Sequence, residues 1–274
     1  MASIVDALEQ GRVHTQRVYK TPSGSSLQRW TDWAFASGQP AYDPRIGTAL
    51  VFKPENALGN DAIYTGPAQP DAVKHLFSAT LRVDGSGGPV SLLLFDLLGY
   101  YPLIDGDSTD FQPFDNTLPL PRYSDGAGVL PLLVSSVAPV QLGTSAFIAH
   151  TDAAGVSRAS PIFGVATNST PGQILNAPGT VPTPGGLGIP LAAGSAYGVR
   201  SVSGIQYTSP PGGLQCLYLI RPVVFLTCNG NQFLATERVF SNCPVIADGS
   251  ALNLFIYQHG TSATSFFGHF TFIH

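Results

Sequence analysis

The chain has 274 residues, a formal net charge of −4, 30 glycines, 23 prolines and only 11% charged residues. An ordinary globular protein has about 25% charged residues, so this composition indicates an unusual surface. The negative balance argues against nucleic-acid binding through a general electrostatic field. No apolar run approaches the roughly 20 residues of a membrane-spanning helix. The first residues lack a charged segment followed by an apolar core, so we expect no signal peptide.

The first 70 residues are predicted to form an N-terminal arm or strap that begins with a short helix. Residues 3–10 fit a helix because Ser3 can cap its start and Gly11 can end it. Frequent prolines exclude long regular elements from residues 12–70, which we therefore expect to be irregular. Such an arm either frays or docks, on the main body or on a partner. Its candidate contact residues are Ile4, Val5, Leu8, Trp30 and Trp33.

Residues 71–274 are predicted to form an all-β domain, an antiparallel β-sandwich resembling a jelly roll. Apolar or alternating segments recur with turn signals between them, as is typical of this class. The predicted strands cover residues 76–83, 92–98, 129–134, 147–151, 156–159, 198–202, 214–223, 252–258 and 265–273. Residues 92–98 and 214–223 are apolar enough for strands that are buried on both faces.

Particular positions refine this prediction. Pro131 cannot donate a ladder hydrogen bond, which indicates an edge strand or a bulge. In the last strand, Phe266, Phe270 and Phe272 share one face while His269 faces the other way. Residues 147–151 and 156–159 are predicted to form a hairpin. The Pro- and Gly-rich residues 167–188 are predicted to be a long extended loop.

An acidic loop lies between the strands at residues 92–98 and 129–134. Its carboxylates are Asp105, Asp107, Asp110 and Asp115. Closely spaced carboxylates suit Ca²⁺, but this spacing is not that of an EF-hand loop. We favour the alternative that the aspartates cap turns and that Arg122, which precedes Tyr123, pairs with one of them. We therefore predict no metal site.

No catalytic constellation is recognisable in the sequence. The six histidines form no HExxH or HxH pattern, and glutamate, a frequent general acid or base, occurs only three times. The three cysteines lie too far apart for a CxxC zinc motif and are odd in number, so we expect buried thiols. We predict that the chain is not an enzyme and carries no cofactor.

Charge is scarcest in the second half of the chain. Residues 126–274 contain three acidic and four basic side chains. This number does not give a free-standing domain its usual charged surface. Either uncharged polar residues carry the solvent-exposed face or other subunits cover much of it. We interpret the pattern as an indication of assembly with other protein chains.

Four segments resemble a pattern in virion structural proteins of tailed bacteriophages. They are YYPLID at residues 100–105, DNTLPLPRYSDGAGV at residues 115–129, GVRSV at residues 198–202, and residues 212–222. Together they extend over about half of the chain. The resemblance implies a β-rich component of the virion, assembled in the host cytoplasm and without enzymatic residues.

Within that group, the resemblance implies a head cement or decoration protein. Such a protein would lie on the lattice of the major capsid protein, often as a trimer, and tie neighbouring capsomers together. A tail or baseplate component is the related alternative. No nucleic-acid or membrane partner is expected.

A glycan- or receptor-binding β module for host adhesion is a separate alternative. Sugar sites use aromatic platforms beside Asp and Asn side chains. In this chain such a site would consist of Tyr100, Tyr101, Asp105, Asn116 and Tyr123.

Overall fold

The structure, a computed structural model, is almost entirely β. It describes residues 6, 9–21, 29–56, 61–68, 73–84, 89–137, 143–167, 170–176, 187–192, 196–229, 233–237, 243–259 and 265–274. The strands are β1 (Val13–Thr21), β2 (Trp30–Asp32), β3 (Ser37–Gln39), β4 (Lys53–Pro54), β5 (Lys74–Asp84), β6 (Pro89–Asp105), β7 (Gln112–Pro113), β8 (Leu130–Val137), β9 (Thr144–Asp152), β10 (Ser157–Ala159), β11 (Phe163–Val165), β12 (Val199–Tyr207), β13 (Leu214–Asn229), β14 (Phe233–Glu237), β15 (Val245–Ile246), β16 (Leu252–Gln258) and β17 (Ser265–Ile273). A short 3₁₀ helix spans Trp33–Phe35.

The named strands form a central sheet and two outer sheets. The central sheet has the order β2-β16-β6-β13-β8, with β4 beside β6. The first outer sheet has the order β14-β5-β17-β1-β3, with β15 beside β5, and the second has the order β10-β9-β12-β7, with β11 beside β9. These strand pairs are antiparallel, which confirms the prediction of an all-β sandwich-like fold.

The central sheet is buried on both faces because β6 and β13 are long and apolar. Leu92 and Leu94 of β6 belong to a core shared with the first outer sheet, whereas Leu98 and Tyr101 belong to a core shared with the second. On the opposite face, alternate residues such as Phe95 join a third core. A strand with two apolar faces thus becomes the middle layer, as the sequence of residues 92–98 predicted.

Residues 29–56, which we name the strap, cover part of the opposite face of the central sheet. Trp30 of the strap is only 3% exposed and belongs to the third core. Next to β4, Gly99 allows the strap to approach β6, since a Cβ there would lie 2.5 Å from Phe52 Cζ and 2.6 Å from the Lys53 carbonyl oxygen. The close approach therefore requires glycine at this point.

Several local predictions are confirmed. Pro131 lies on β8, the last strand in the order of the central sheet, and β9 pairs with β10 as a hairpin. Phe270 of β17 is fully buried, while His269 on the same strand is exposed. The three cysteines are buried and form no disulfide.

The prediction that residues 12–70 are irregular was wrong for β1. This strand pairs with β17 on one side and with β3 on the other, so it lies inside the first outer sheet. The alternation that marks a strand is present in its burial, but its outward positions carry Arg17 and Tyr19, and Lys20 faces inward. A domain boundary at residue 70 stays a prediction.

Two predicted elements lie largely outside the described residues. Of the predicted helix at residues 3–10, only residues 6, 9 and 10 are described. Of the predicted loop at residues 167–188, residues 168–169 and 177–186 lie outside the described residues. Among the described residues, no helix has the length and apolarity to cross a membrane.

Candidate functional site

The central strand β6 carries a single acidic side chain between its apolar residues, and this side chain is the centre of a buried clamp. Asp96 is 1% exposed. Arg122 donates to it twice, from Nη2 to Oδ1 at 2.7 Å and from Nε to Oδ2 at 2.9 Å. The Ser250 hydroxyl and the Ala251 backbone N–H also donate to the same carboxylate, at 2.9 and 3.0 Å. We name these residues the Asp96 clamp.

The electrostatics of the Asp96 clamp follow from its burial. Removal from water raises the pKa of the Asp96 carboxyl, and the hydrogen bonds and charge of Arg122 oppose that shift. Arg122 also donates to the backbone carbonyls of Glu55 and Leu97, at 2.9 and 3.0 Å. One arginine therefore connects its own loop, the strap and β6, with its charge compensated inside the protein.

A second charged cluster fixes the strap to the central sheet. Asp32 is 1% exposed; it accepts from the Tyr218 hydroxyl at 2.8 Å and from the Ala34 N–H at 2.9 Å. Arg45 lies 3.8 Å from Asp32, and its guanidinium carbon lies 5.9 and 5.8 Å from the ring centroids of Tyr100 and Tyr218. Burial raises the pKa of Asp32, which Arg45 opposes. We name Lys20, Asp32, Asp43, Arg45 and Tyr218 the Arg45 cluster.

Lys20 brings a further positive charge to the Arg45 cluster. Its side chain is buried, and its Nζ donates to the Ala36 carbonyl at 2.9 Å and to the Ala41 carbonyl at 3.4 Å. Burial lowers the pKa of Lys20 to about 8. The amine thus joins β1 to the strap at the expense of its hydration.

Three carboxylates, one of them from Asp43 of the Arg45 cluster, lie close enough together to hold a cation. One oxygen from each of Asp43, Glu55 and Asp61 lies within 4.8 Å of the others. Arg45 pairs with Asp43, and Lys53 lies 3.4 Å from Glu55. These cations already compensate part of the negative charge, and an acidic cluster of this kind is common without a metal ion.

Two side chains of the acidic loop, those of Asp105 and Asp115, serve as turn residues, whereas the same role for the side chains of Asp107 and Asp110 stays a prediction. Asp105 accepts from the Asp107 N–H at 2.9 Å, and Asp115 accepts from the Thr117 N–H at 2.8 Å. The Asp110 N–H donates to Ser108 at 3.2 Å. These are the bonds of side chains that shape turns. Their predicted partner Arg122 pairs with Asp96 instead, which corrects that part of the prediction.

The residues suggested for a sugar platform do not form one. Tyr100 and Tyr101 are fully buried. The Tyr101 hydroxyl donates to Asn116 at 2.6 Å and accepts from the Val202 N–H at 3.0 Å. Tyr123 is partly covered, because the guanidinium of Arg221 lies 4.0 Å from its ring centroid. Tyr101 thus holds the acidic loop against the second outer sheet, and Tyr100 lies in the third core, where its hydroxyl donates to the Ile46 carbonyl at 3.2 Å.

The candidate contact residues of the arm fall into two groups. Trp30 and Trp33 are 3% and 1% exposed and pack inside the chain, Trp33 with its ring centroid 4.4 Å from that of Phe266. The proposed apolar stripe lies outside the described residues; it consists of Ile4, Val5 and Leu8.

Sequence reasoning missed the acidic centres of both charged clusters. Asp96 was visible as one charge within an apolar run, and such a residue requires a buried partner. Asp32 and Arg45 carry no comparable signal, because neither interrupts a long apolar run and their contacts depend on how the strap folds back.

Comparisons with known proteins add little to this geometry. No family model matches the chain, and no curated protein matches it. Two solved structures show a distant likeness: one of infectious bursal virus derived T=1 particles, with 11% identity and a TM-score of 0.19 over 95% of this chain and 77% of that chain; and one of the infectious bursal disease virus VP2 subviral particle, with 9% identity and a TM-score of 0.19 over 95% and 80%. Similarity this low assigns neither a family nor a function.

Proposed function

We propose that this chain is a non-enzymatic structural subunit of a virus particle. In its most specific form, the chain is a cement or decoration protein of a tailed-phage head that binds the major capsid protein and copies of itself, as a trimer. A component of the tail or baseplate is the alternative. The sequence resemblance described above supports the phage assignment.

The use of charge in residues 126–274 is the observation that supports a role in assembly. Each charged side chain that the structure describes in this half makes a contact within the chain. These contacts are Asp152 with Arg158, Asp248 with Lys74, Arg200 with the Ala153 carbonyl and Arg221 with the Tyr123 ring. The described surface of this half therefore has little charge that is not already compensated or in contact with the chain itself.

Large apolar side chains are exposed on the same half. Ile162 is 68% exposed, Tyr197 69% and Val245 60%. One exposed apolar residue is ordinary on a monomer. Several of them on a surface with few charges favour burial against another protein chain, where charged residues are depleted from the centre of the interface.

The two charged clusters give such a subunit a rigid body. The Asp96 clamp and the Arg45 cluster attach loops and strap to a sheet that is packed on both faces, so these segments hold their positions. A stable interface needs upwards of about 1,000 Å² of buried surface, and uncharged loops can supply it without long-range repulsion. A fixed β platform suits the connection of neighbouring subunits in a lattice.

Mass spectrometry of purified particles tests this function. Particles from a culture that produces the chain are separated from lysate on a density gradient, and heads are then separated from tails. We expect peptides of the chain at a fixed ratio to the major capsid protein in the head fraction. A fixed ratio in tails favours the alternative, and absence from both fractions would contradict a structural role in the particle.

A further inference from the structure

The outer face of the first outer sheet carries an ordered set of side chains that the structural role does not use. Residues paired directly across antiparallel strands share a face of the sheet. Three successive rows across β1, β17 and β5 are Tyr19, Phe267 and Arg82; then Arg17, His269 and Thr80; then Thr15, Thr271 and Ser78. We name these nine residues the outer grid.

A groove of about 270 Å³ opens on the outer grid. It is lined by Thr15, Thr80, Phe267, Gly268, His269 and Thr271. At one end Tyr19 and Phe267 form an aromatic pair with ring centroids 4.9 Å apart, and the two side chains are 42% and 41% exposed. At the other end the hydroxyl oxygens of Thr15 and Thr271 lie 3.3 Å apart. The groove thus runs from an aromatic surface to a hydroxyl surface.

The backbone of this face is already used for sheet formation. Strand β17 pairs along its length with β1 on one side and with β5 on the other. A peptide cannot therefore add as another strand beside β17, on which the groove lies, because the N–H and C=O groups of β17 have partners on both sides. A ligand of the groove must be held by side chains.

Those side chains have the chemistry of a saccharide site. Threonine hydroxyls donate and accept hydrogen bonds, and the His269 imidazole offers two ring nitrogens as further partners. Aromatic rings provide apolar surface with a preferred orientation. Sugar rings combine hydroxyl groups at their edge with apolar C–H faces, and need both kinds of partner side by side.

The charges of the face favour a neutral ligand. Arg82, 44% exposed, already pairs with Asp84 at 2.7 Å. The chain as a whole is negative, with a formal net charge of −4. A phosphate or sulphate ligand is usually held by several converging cationic groups, whereas Arg17 stands on this face beside hydroxyls and an imidazole. We propose that the groove on the outer grid binds a neutral saccharide unit, independently of where the chain lies in a particle.

Binding of defined oligosaccharides to the full chain tests this site. The probes are neutral oligosaccharides of glucose, galactose, mannose and N-acetylglucosamine, with sialylated and sulphated oligosaccharides as a second arm. We expect saturation-transfer difference NMR to show binding of a neutral probe through its ring protons. Phe267→Ala should weaken that binding about fivefold, since an aromatic contact contributes about 1 kcal/mol.

The chain offers a matched control for the aromatic substitution. Phe111 is also 41% exposed, but it lies against Gly204 in the second outer sheet. Phe111→Ala should leave saccharide binding unchanged. Thermal unfolding verifies that each variant is folded. If Phe267→Ala does not fold, Thr271→Val replaces it, because that substitution removes one hydroxyl of the groove at nearly constant volume.

Four results would overturn the saccharide site. They are binding of no neutral probe at millimolar concentration, binding of acidic probes alone, equal loss in the Phe267 and Phe111 variants, and a fall in the solution mass of the chain caused by Phe267→Ala. The last result would identify the face as a contact between copies of the chain.

Discussion

Arg122 and Asp96 form a two-point ion pair in which the side chains are only 8% and 1% exposed. The acid lies on β6, the arginine follows the acidic loop, and the same carboxylate also accepts from Ser250 and Ala251 just before β16. Segments that are far apart in the sequence therefore meet at a single carboxylate. Such a junction stabilises one arrangement of loops over the central sheet, provided that both charges are present.

Loss of the arginine from this pair should strongly destabilise the fold. Arg122→Met leaves the Asp96 charge buried with only the hydroxyl and N–H donors, and removal of one partner from a buried pair typically costs about 3–5 kcal/mol. Urea unfolding at neutral pH should show a loss of this size in the free energy of unfolding.

The exposed pair Arg82–Asp84 provides the control for that substitution. Its side chains are 44% and 32% exposed, so Arg82→Met should change the stability by no more than about 1 kcal/mol. If the two variants lose similar amounts of unfolding free energy, burial does not make the Arg122–Asp96 pair more important for stability than an exposed pair.

The sequence predicted the apolar strands well because their pattern is local. Residues 92–98 need burial on both faces whatever their neighbours are, and the structure confirms them as part of a central strand. β1 escaped notice because its alternation includes Lys20 on the inward side, where a charged residue hides the pattern. The inward lysine is tolerated only because strap carbonyls accept from it.

The partners of charged residues could not be predicted in the same way. Arg122 was expected to pair with an aspartate of the adjacent loop, since proximity in sequence was the only guide. Its partner Asp96 is brought to it by the register of β6 with the neighbouring strands, which depends on the whole central sheet. Tyr101 likewise looks like a surface aromatic in sequence and becomes a buried hydrogen-bonding group through tertiary packing.

Removal of the Tyr101 hydroxyl should weaken the attachment of the acidic loop. Tyr101→Phe leaves the buried Val202 N–H without its acceptor and removes the donor to Asn116 Oδ1. An unsatisfied buried group costs about 1–3 kcal/mol. A fall in melting temperature should report it. The control is Tyr197→Phe, at a side chain that is 69% exposed, which should have the same melting temperature as the wild type.

Lys20 should give the stability a distinctive alkaline dependence. Burial lowers its pKa from 10.5 to about 8, so between these values the unfolded chain binds more protons than the folded chain. The contribution of Lys20 is therefore least favourable below pH 8 and improves as the pH rises towards 10.5.

This dependence appears as a difference between wild type and Lys20→Met, which removes the charge at similar volume. The unfolding free energy of the wild type minus that of the variant should rise by about 3 kcal/mol across that pH range. Comparison with Lys53→Met, at a side chain that is 47% exposed, separates this effect from the loss of a lysine as such. A difference that stays constant with pH would contradict the effect of burial on Lys20.

Asp152 should control part of the acid stability of the second outer sheet. The hydrogen bond from Arg158, with help from the Val156 N–H, lowers the pKa of Asp152 from 3.8 to about 2. Its stabilising contribution is complete above the unfolded value and is lost as the pH falls towards 2. Asp152→Asn should therefore have a lower melting temperature than the wild type at neutral pH. The difference between the two melting temperatures should narrow between about pH 4 and pH 2. Asp110→Asn, at an exposed position of the acidic loop, controls for the loss of a carboxylate. If the gap between wild type and Asp152→Asn is the same throughout the titration, the ion pair with Arg158 does not stabilise the hairpin of β9 and β10.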